Sequence, residues 1–477
     1  AVALVRLVGA VQKLFWGGGR DLLQFAEAAS PLHRVLALAI GGILVGLIVL
    51  VSRQPVRGHG TAGIIEAVAR HRGFISMRRT LTKEGATLIT VGSGGSLGRE
   101  GPLMRVGAAL GSLLGRRFHL SGNRLNILVG CGTAAGIAAA YNAPIGGAMF
   151  ALEVVLGNFA LESFGPIVVA SAIGTIVSRG LLGNYRAYSP PSFDTLVSPW
   201  EMGHYLLMGI LIGLASAVFI LALRGAEKGF DRIPAPLWTR PALGFTLVGV
   251  MGIWFPQVFG NGYDTVNQVL REGVPLAMLL VLPLLKTAAT ALTLGSGGSG
   301  GLFTPTLFVG SVLGSAYGSW SHTAFPAITA PSGAYALVGM GAMIAGTTQA
   351  PLTAILIIFE LTGDYEIILP LMLCCTVSLL ISRMVHPESI YTQPLLDRGV
   401  RLGGRTEQLV MDTIEVRDVM RPGAVPVEAG APLEVVVRRL LNEGRKELFV
   451  VGDDGRFRGA ITLADITGNH GGHAAHT

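Results

Sequence analysis

GSGGSLGREGPLMRVGAALGSLLG, residues 92–115, and GSGGSGGLFTPTLFVGSVLGSAYG, residues 295–318, decide how the rest of the chain is read. At a constant offset of 203, 13 of the 24 positions are identical. The register extends upstream, where Lys83 matches Lys286, Thr87 matches Thr290 and Thr90 matches Thr293. Downstream, after a small shift, GCGTAAGIAAAYNAPIGGAMFALE, ending at Glu153, resembles GMGAMIAGTTQAPLTAILIIFE, ending at Glu360. The chain is an internal duplication, and each half carries a glycine-rich break inside apolar sequence.

In lipid every backbone N–H and C=O must be paired, so non-helical backbone survives only inside protein or beside a polar cavity. A Gly/Ser run bends and leaves its amides unscreened. The helix that follows presents unpaired N–H groups and the positive end of its dipole. Two such helix starts facing one another make an anion site within the membrane. Interrupted apolar segments at matching places in two halves are the sequence mark of a transport site. Close helix packing is the plainer use of Gly107, Gly111 and Gly115, which have helical spacing. It does not account for a break that carries Arg99-Glu100.

Composition agrees. Of 477 residues, 51% are hydrophobic and 14% charged, and soluble domains run nearer a quarter charged. Apolar stretches near 33–52, 126–155, 160–182, 205–224, 242–259, 276–294, 306–320, 333–363 and 367–385 reach or approach the ~20 residues that cross a bilayer. The net charge of +7 is spread over loops and reads as a topology signal, so no nucleic-acid surface is expected. Cys131, Cys374 and Cys375 lie in apolar sequence without metal spacing. No cleavable signal peptide is expected from the opening residues.

The expected organisation is an N-terminal amphipathic surface helix (1–32), a first membrane repeat (33–188) and a Pro-rich connection (189–203). A second membrane repeat (204–386), a linker (387–413), a small α+β module (414–468) and a disordered tail (469–477) follow. The module alternates Val425–Val427, a helix over Pro432–Glu443, Glu447–Val451, a Gly452–Gly455 turn and Gly459–Leu463.

Glu100, in Gly98-Arg99-Glu100-Gly101-Pro102, is the sharpest signal. A membrane-buried acid is costly unless it is paired or functional. Here it is either a helix-start carboxylate favoured by the dipole and paired with Arg99, or a gate. A gate carboxylate competes with an anion for the same N–H groups, and its protonation releases it. The second half offers Gly301-Leu302-Phe303-Thr304-Pro305, with amides and the ring edge of Phe303 and no charge. Two G-x-S-x-G matches, at Ser96 and Ser299, raise an intramembrane serine hydrolase as a distant alternative. That motif needs a preceding strand and a His partner, and the flanks here are membrane segments. A sodium-coupled symporter is a further alternative, and it needs carbonyl and carboxylate cation ligands where the breaks supply amides.

Together, GREGP at 98–102, GLFTP at 301–305, the two Ala-Pro helices ending at Glu153 and Glu360, and Ser389-Ile390-Tyr391-Thr392 resemble the CLC family of chloride channels and chloride/proton antiporters. The resemblance covers nearly the whole chain. It implies an all-α polytopic membrane protein of two inverted-topology repeats of tilted and broken helices, assembled as a homodimer in the membrane lipid, with one pore per subunit. It implies the plasma (inner) membrane of a prokaryote and a cytoplasmic C-terminal module. By the same resemblance Glu100 is the gate and proton acceptor. His59, Gly60, Arg99, Gly101, Leu302, Phe303 and the Tyr391 hydroxyl surround the chloride.

Two positions depart from the family pattern. The GSGIP segment reads Gly58-His59-Gly60-Thr61-Ala62, so His59 stands where a serine hydroxyl is usual. A neutral imidazole N–H or the Gly60 amide can donate there instead. The internal proton-transfer glutamate of family antiporters falls on Val154, which carries no proton. Channel-like or weakly coupled conduction follows, with a water-mediated antiporter as the alternative. Residues 414–468 resemble a CBS motif, and such motifs in pairs bind adenine nucleotides. Thr462 and Asp465 are the contact candidates. No other cofactor and no enzymatic activity are expected.

Overall fold

The computed structural model describes residues 2–18, 22–52, 56, 58, 60–184, 188, 197–271, 274–400, 426–442 and 447–467. The chain divides into two compact units, 1–409 and 410–477.

In the first unit α1 (Val2–Trp16), α2 (Leu22–Ala28) and α3 (Pro31–Ser52) lead into α4 (Gly60–Arg70), α5 (Met77–Gly92) and α6 (Glu100–Arg117). Next come α7 (Asn123–Tyr141), α8 (Pro144–Phe150) running into a π-helical turn (Ala151–Leu156), and α9 (Leu161–Leu182). The second half contains α10 (Glu201–Arg232), α11 (Arg240–Trp254), a 3-10 turn (Pro256–Val258), α12 (Tyr263–Leu270) and α13 (Leu276–Ser296). It closes with α14 (Phe303–Ala324), α15 (Ser332–Thr348), α16 (Pro351–Thr362), α17 (Ile368–Val385) and the short α18 (Gln393–Asp397). The series α4–α9 is repeated by α12–α17.

Proline and a left-handed residue explain why the apolar stretches 126–155 and 333–363 each become two helices. Asn142 at φ 59° and Gln349 at φ 58° end α7 and α15. Pro144 and Pro351 then start α8 and α16, where a missing N–H costs nothing. The expectation of one surface helix over 1–32 is corrected to two helices. Val8, Gln12 and Trp16 of α1 are buried, with α1 against α5, so this segment is part of the packed unit.

Small residues let the repeat helices pack closely. The α-carbons of Gly107 and Gly132 face one another's carbonyls between α6 and α7, and Gly310 and Gly339 do the same between α14 and α15. A methyl at any of these positions would strike backbone, which explains glycine at each.

Among the described residues five helices, α3, α9, α10, α13 and α17, are long and apolar enough to cross a bilayer. Much of their exposed surface is apolar, as at Ile40, Ile43 and Leu47 on α3 and Val169, Ile173 and Ile176 on α9. Water would penalise that much contiguous apolar surface and lipid does not.

The second unit has β1 (Val427–Glu428), α19 (Leu433–Asn442), β2 (Glu447–Val451), β3 (Phe457–Thr462) and α20 (Leu463–Thr467). β1 pairs parallel with β2, β2 pairs antiparallel with β3, and Val427, Val436, Leu440 and Leu448 form the core. α19 and β2 lie where the sequence places them, whereas β1 is described at Val427–Glu428, β3 starts at Phe457, two residues before the expected run, and α20 occupies residues not expected to be helical. Val416–Met420, Val425 and the 469–477 tail lie outside the described residues.

Candidate functional site

The two glycine-rich breaks close on each other. Gly98 N–H donates to Gly301 O at 2.8 Å, and Gly301 N–H donates to Gly98 O at 2.7 Å. Ser96 N–H donates to Thr293 Oγ1 at 3.2 Å, and Ser299 N–H donates to Thr90 Oγ1 at 3.4 Å. The Ser96 and Thr290 hydroxyls pair at 3.1 Å, and Thr87 donates to Ser299 Oγ at 3.0 Å. Each contact has its counterpart 203 residues on, as an isologous interface requires. Gly98 and Gly301 pair antiparallel, so the two repeats run through the junction in opposite directions. Irregular backbone is thereby satisfied within protein, as the bilayer demands. The same bonds hold the hydroxyls of Ser96 and Ser299, both fully buried, against threonines of the opposite repeat.

Helix starts converge on this junction. α6 opens at Glu100 and α14 at Phe303, each a residue or two past the paired glycines. The Gly60 α-carbon, at the start of α4, abuts the Gly101 carbonyl. Glu100 is 1% exposed and accepts a hydrogen bond from the Tyr263 hydroxyl, 2.6 Å from Oε1. Its Oε2 has no hydrogen-bond donor and lies against the α-carbons of Gly98 and Gly301. Arg99 lies beside the same tyrosine. Its guanidinium rests over the Tyr263 ring, 5.4 Å from the centroid. Beside them a polar cavity of about 470 Å³ is lined by Arg99, Asn261, Gly262, Tyr263, Asp264 and Asn267, among others.

Aromatic rings build the opposite wall. Leu302 and Phe303 are buried at the α14 start. The Phe303 ring meets Tyr141 at 5.1 Å and Phe150 at 6.4 Å, and Phe150 meets Tyr391 at 6.0 Å. Tyr391 hydrogen-bonds the Thr61 side chain and lies within electrostatic range of Glu100. The structure thus gathers Gly60, Glu100, Gly101, Leu302, Phe303 and Tyr391 at one place, with Arg99 at its rim. His59 lies outside the described residues.

Two carboxylates act as helix caps. Glu360 accepts from the N–H groups of Ile145 (2.9 Å) and Gly146 (2.7 Å) at the start of α8. Glu153 accepts from Leu352 (3.3 Å) and Thr353 (2.8 Å) at the start of α16, and from the Thr353 hydroxyl at 2.7 Å. Val154 is buried in the apolar core with Ile64, Ile65 and Val68 of α4. In the second unit the Thr462 hydroxyl and N–H donate to Asp465 Oδ2 at 2.6 and 2.8 Å. Those bonds hold the Asp465 carboxyl below the usual carboxylate range.

Sequence reasoning missed Tyr263, buried Lys286 and the buried Arg105–Glu84 pair. Charge between apolar residues flags Lys286 and Arg105, whereas Glu84 follows Lys83 in a charged run and is not flagged. Nothing local flags Tyr263, whose counterpart at an offset of 203 is Gly60.

The family model for voltage gated chloride channels matches residues 41–383, and the CBS domain model matches 416–469. A ClcB-like chloride channel protein of Ralstonia nicotianae is 38% identical over 402 residues, covering 83% of this chain and 94% of the relative. The voltage-gated ClC-type chloride channel ClcB of Escherichia coli is 32% identical, covering 78% and 89%. A slow cyanobacterial Cl−/H+ antiporter superposes with a TM-score of 0.71 at 25% identity, covering 84% of this chain and 97% of that one.

Proposed function

The chain belongs to the voltage-gated chloride channel (CLC) family, and from that premise we propose that it carries chloride across a membrane through the junction of its two repeats, closed by Glu100. The buried carboxylate at the start of α6 carries this reading. Its ionised form occupies the ground that an anion would take beside the α4, α6 and α14 helix starts. Tyr263 holds it there with a charge-assisted hydrogen bond. Protonation weakens that bond and removes the competition, so chloride replaces the carboxylate. Amides, the Tyr391 hydroxyl and the Phe303 edge bind chloride tightly enough to shed water and weakly enough to release it. The cavity beside Arg99 and Tyr263 then serves as the mouth on that side.

Conduction without strict proton coupling is the favoured mode, because Val154 is buried in apolar surroundings and carries no proton. A chloride/proton antiporter is the second reading, and the cyanobacterial Cl−/H+ antiporter's likeness favours it. Family membership argues against the serine hydrolase, and labelling of Ser96 or Ser299 by a fluorophosphonate would revive it. The C-terminal module is proposed to face the cytoplasm and to bind adenine nucleotide near Thr462 and Asp465. A homodimer is the proposed assembly.

The deciding experiment uses purified protein in chloride-loaded liposomes, recording chloride efflux and external pH with and without a potassium ionophore. Efflux without uphill proton uptake supports the channel-like mode. Chloride-driven uphill proton movement establishes the antiporter, and absence of chloride flux sinks the whole reading.

A further inference from the structure

Arg105 of α6 and Glu84 of α5 form a buried pair at 3.4 Å, 5% and 4% exposed. Neither Nη of Arg105 and neither carboxylate oxygen of Glu84 makes a hydrogen bond. Buried ionic groups are tolerated only when paired and hydrogen-bonded, so this pair is under-satisfied. Its location adds to the imbalance. The Arg105 Nε and Nη2 atoms face the Gly60 α-carbon, where an added methyl would lie 3.0 Å from each. The guanidinium is therefore set against the positive end of an 11-residue helix, α4. Lys83, within electrostatic range of both Arg105 and Glu84, adds a further cation. Glu84 is shared in imperfect geometry between Arg105 and Lys83 beside a helix N-terminus, and with Glu66 and Arg398 counted the cluster holds three cations against two carboxylates. That surplus fits a small monovalent anion.

We propose that Arg105 is an anion ligand, holding chloride with the first amides of α4, and that Glu84 competes with chloride for the guanidinium. Arg105 stands five residues along α6 from Glu100, about 7.5 Å of helix rise, so this position is separate from the gate. Protonation of Glu84 frees the guanidinium and strengthens chloride binding. A proton-responsive group thus lies beside the path although position 154 is valine. The other charges near this pair are Lys83 on α5, Glu66 on α4 and Arg398 after α18. His59 directly precedes Gly60 in sequence. The inference rests on the reading that the junction carries chloride.

The test is calorimetric titration of the detergent-solubilised full chain with sodium chloride at pH 7.5 and 5.5. The parent carries Glu100→Gln and His59→Gln, so that neither the gate nor the histidine titrates. Adding Glu84→Gln should tighten chloride binding at least about five-fold at pH 7.5, with no further gain at pH 5.5. Adding Arg105→Gln to Glu84→Gln, which leaves a neutral pair, should weaken binding about ten-fold against Glu84→Gln alone. Gel filtration and thermal melts verify folding. If both variants fold and match the parent in affinity and pH response, the proposal is overturned. If the parent binds no chloride and wild-type liposomes pass none, the transport reading falls and takes this one with it.

Discussion

The Tyr263 hydroxyl lies 2.6 Å from Oε1 of Glu100, while Oε2 of the same carboxylate turns to the Gly98–Gly301 junction without a donor. One oxygen is anchored by the second repeat and the other occupies the meeting point of both. In the proposed gating role, a carboxylate so placed would block the junction while ionised, held there by the Tyr263 hydrogen bond. Glu100→Gln removes the charge that competes with an anion and the proton acceptor with it. Chloride efflux from liposomes is expected to lose its dependence on pH between 5 and 8, and any coupled proton movement to vanish. Retention of the wild-type pH profile would remove Glu100 from the gating role.

Tyr263→Phe tests the anchor separately from the charge. A hydrogen bond to a charged group contributes about 1.5–3 kcal/mol, so the blocking position of Glu100 should lose roughly ten-fold or more in population. Chloride flux at neutral pH should rise accordingly, and pH dependence should persist because the carboxylate remains. The Tyr263 ring still packs against Tyr188 and beneath Arg99, so the fold should be retained. Unchanged flux at neutral pH would mean that the bond does not restrain the gate.

How much of this was legible beforehand differs between the repeat and its contacts. The duplication, the two breaks and the Ala-Pro helix starts repeat at near-fixed spacing, so Gly98, Glu100 and Phe303 stand out from the chain alone. The partner of Glu100 does not. Tyr263 is 163 residues away and replaces Gly60 in the repeat pattern, so no symmetry argument reaches it. Glu84 and Arg105 sit on consecutive helices 21 residues apart, and only packing brings them within 3.4 Å. Glu153 is readable as an acid in apolar sequence. Its role as a cap on α16, 199 residues further on, needs the fold.

Lys286 carries the next expectation. It is fully buried on α13, donates to Val258 O at 3.0 Å and Gly260 O at 2.7 Å, and faces the Phe308 ring. Gly260 in turn donates to Gly94 O, so this lysine ties the segment leading to Tyr263 against the first break. Lys286→Met fills similar space but leaves two carbonyls unsatisfied, about 1–3 kcal/mol each. A lower melting temperature is expected, together with raised neutral-pH flux as Tyr263 loses its position. In a Tyr263→Phe background the flux should rise no further. Additive increases would separate the lysine from the gate.

Glu153 and Glu360 make the same contact twice, each capping the Ala-Pro helix of the other repeat. Losing a cap costs about 0.5–2 kcal/mol, so Glu153→Ala and Glu360→Ala should lower thermal stability by similar amounts in detergent. Glu153→Gln discriminates further, because it keeps an acceptor for the α16 amides and removes the only acid adjacent to Val154 in sequence. If Glu153 serves only as a cap, this variant keeps chloride flux and its pH profile with a modest loss in melting temperature. If it loses proton movement while retaining chloride flux, the capping carboxylate also carries protons, and the antiporter reading displaces the channel-like one. Measuring both fluxes in one liposome preparation decides between these, since a folding defect lowers chloride and proton movement together.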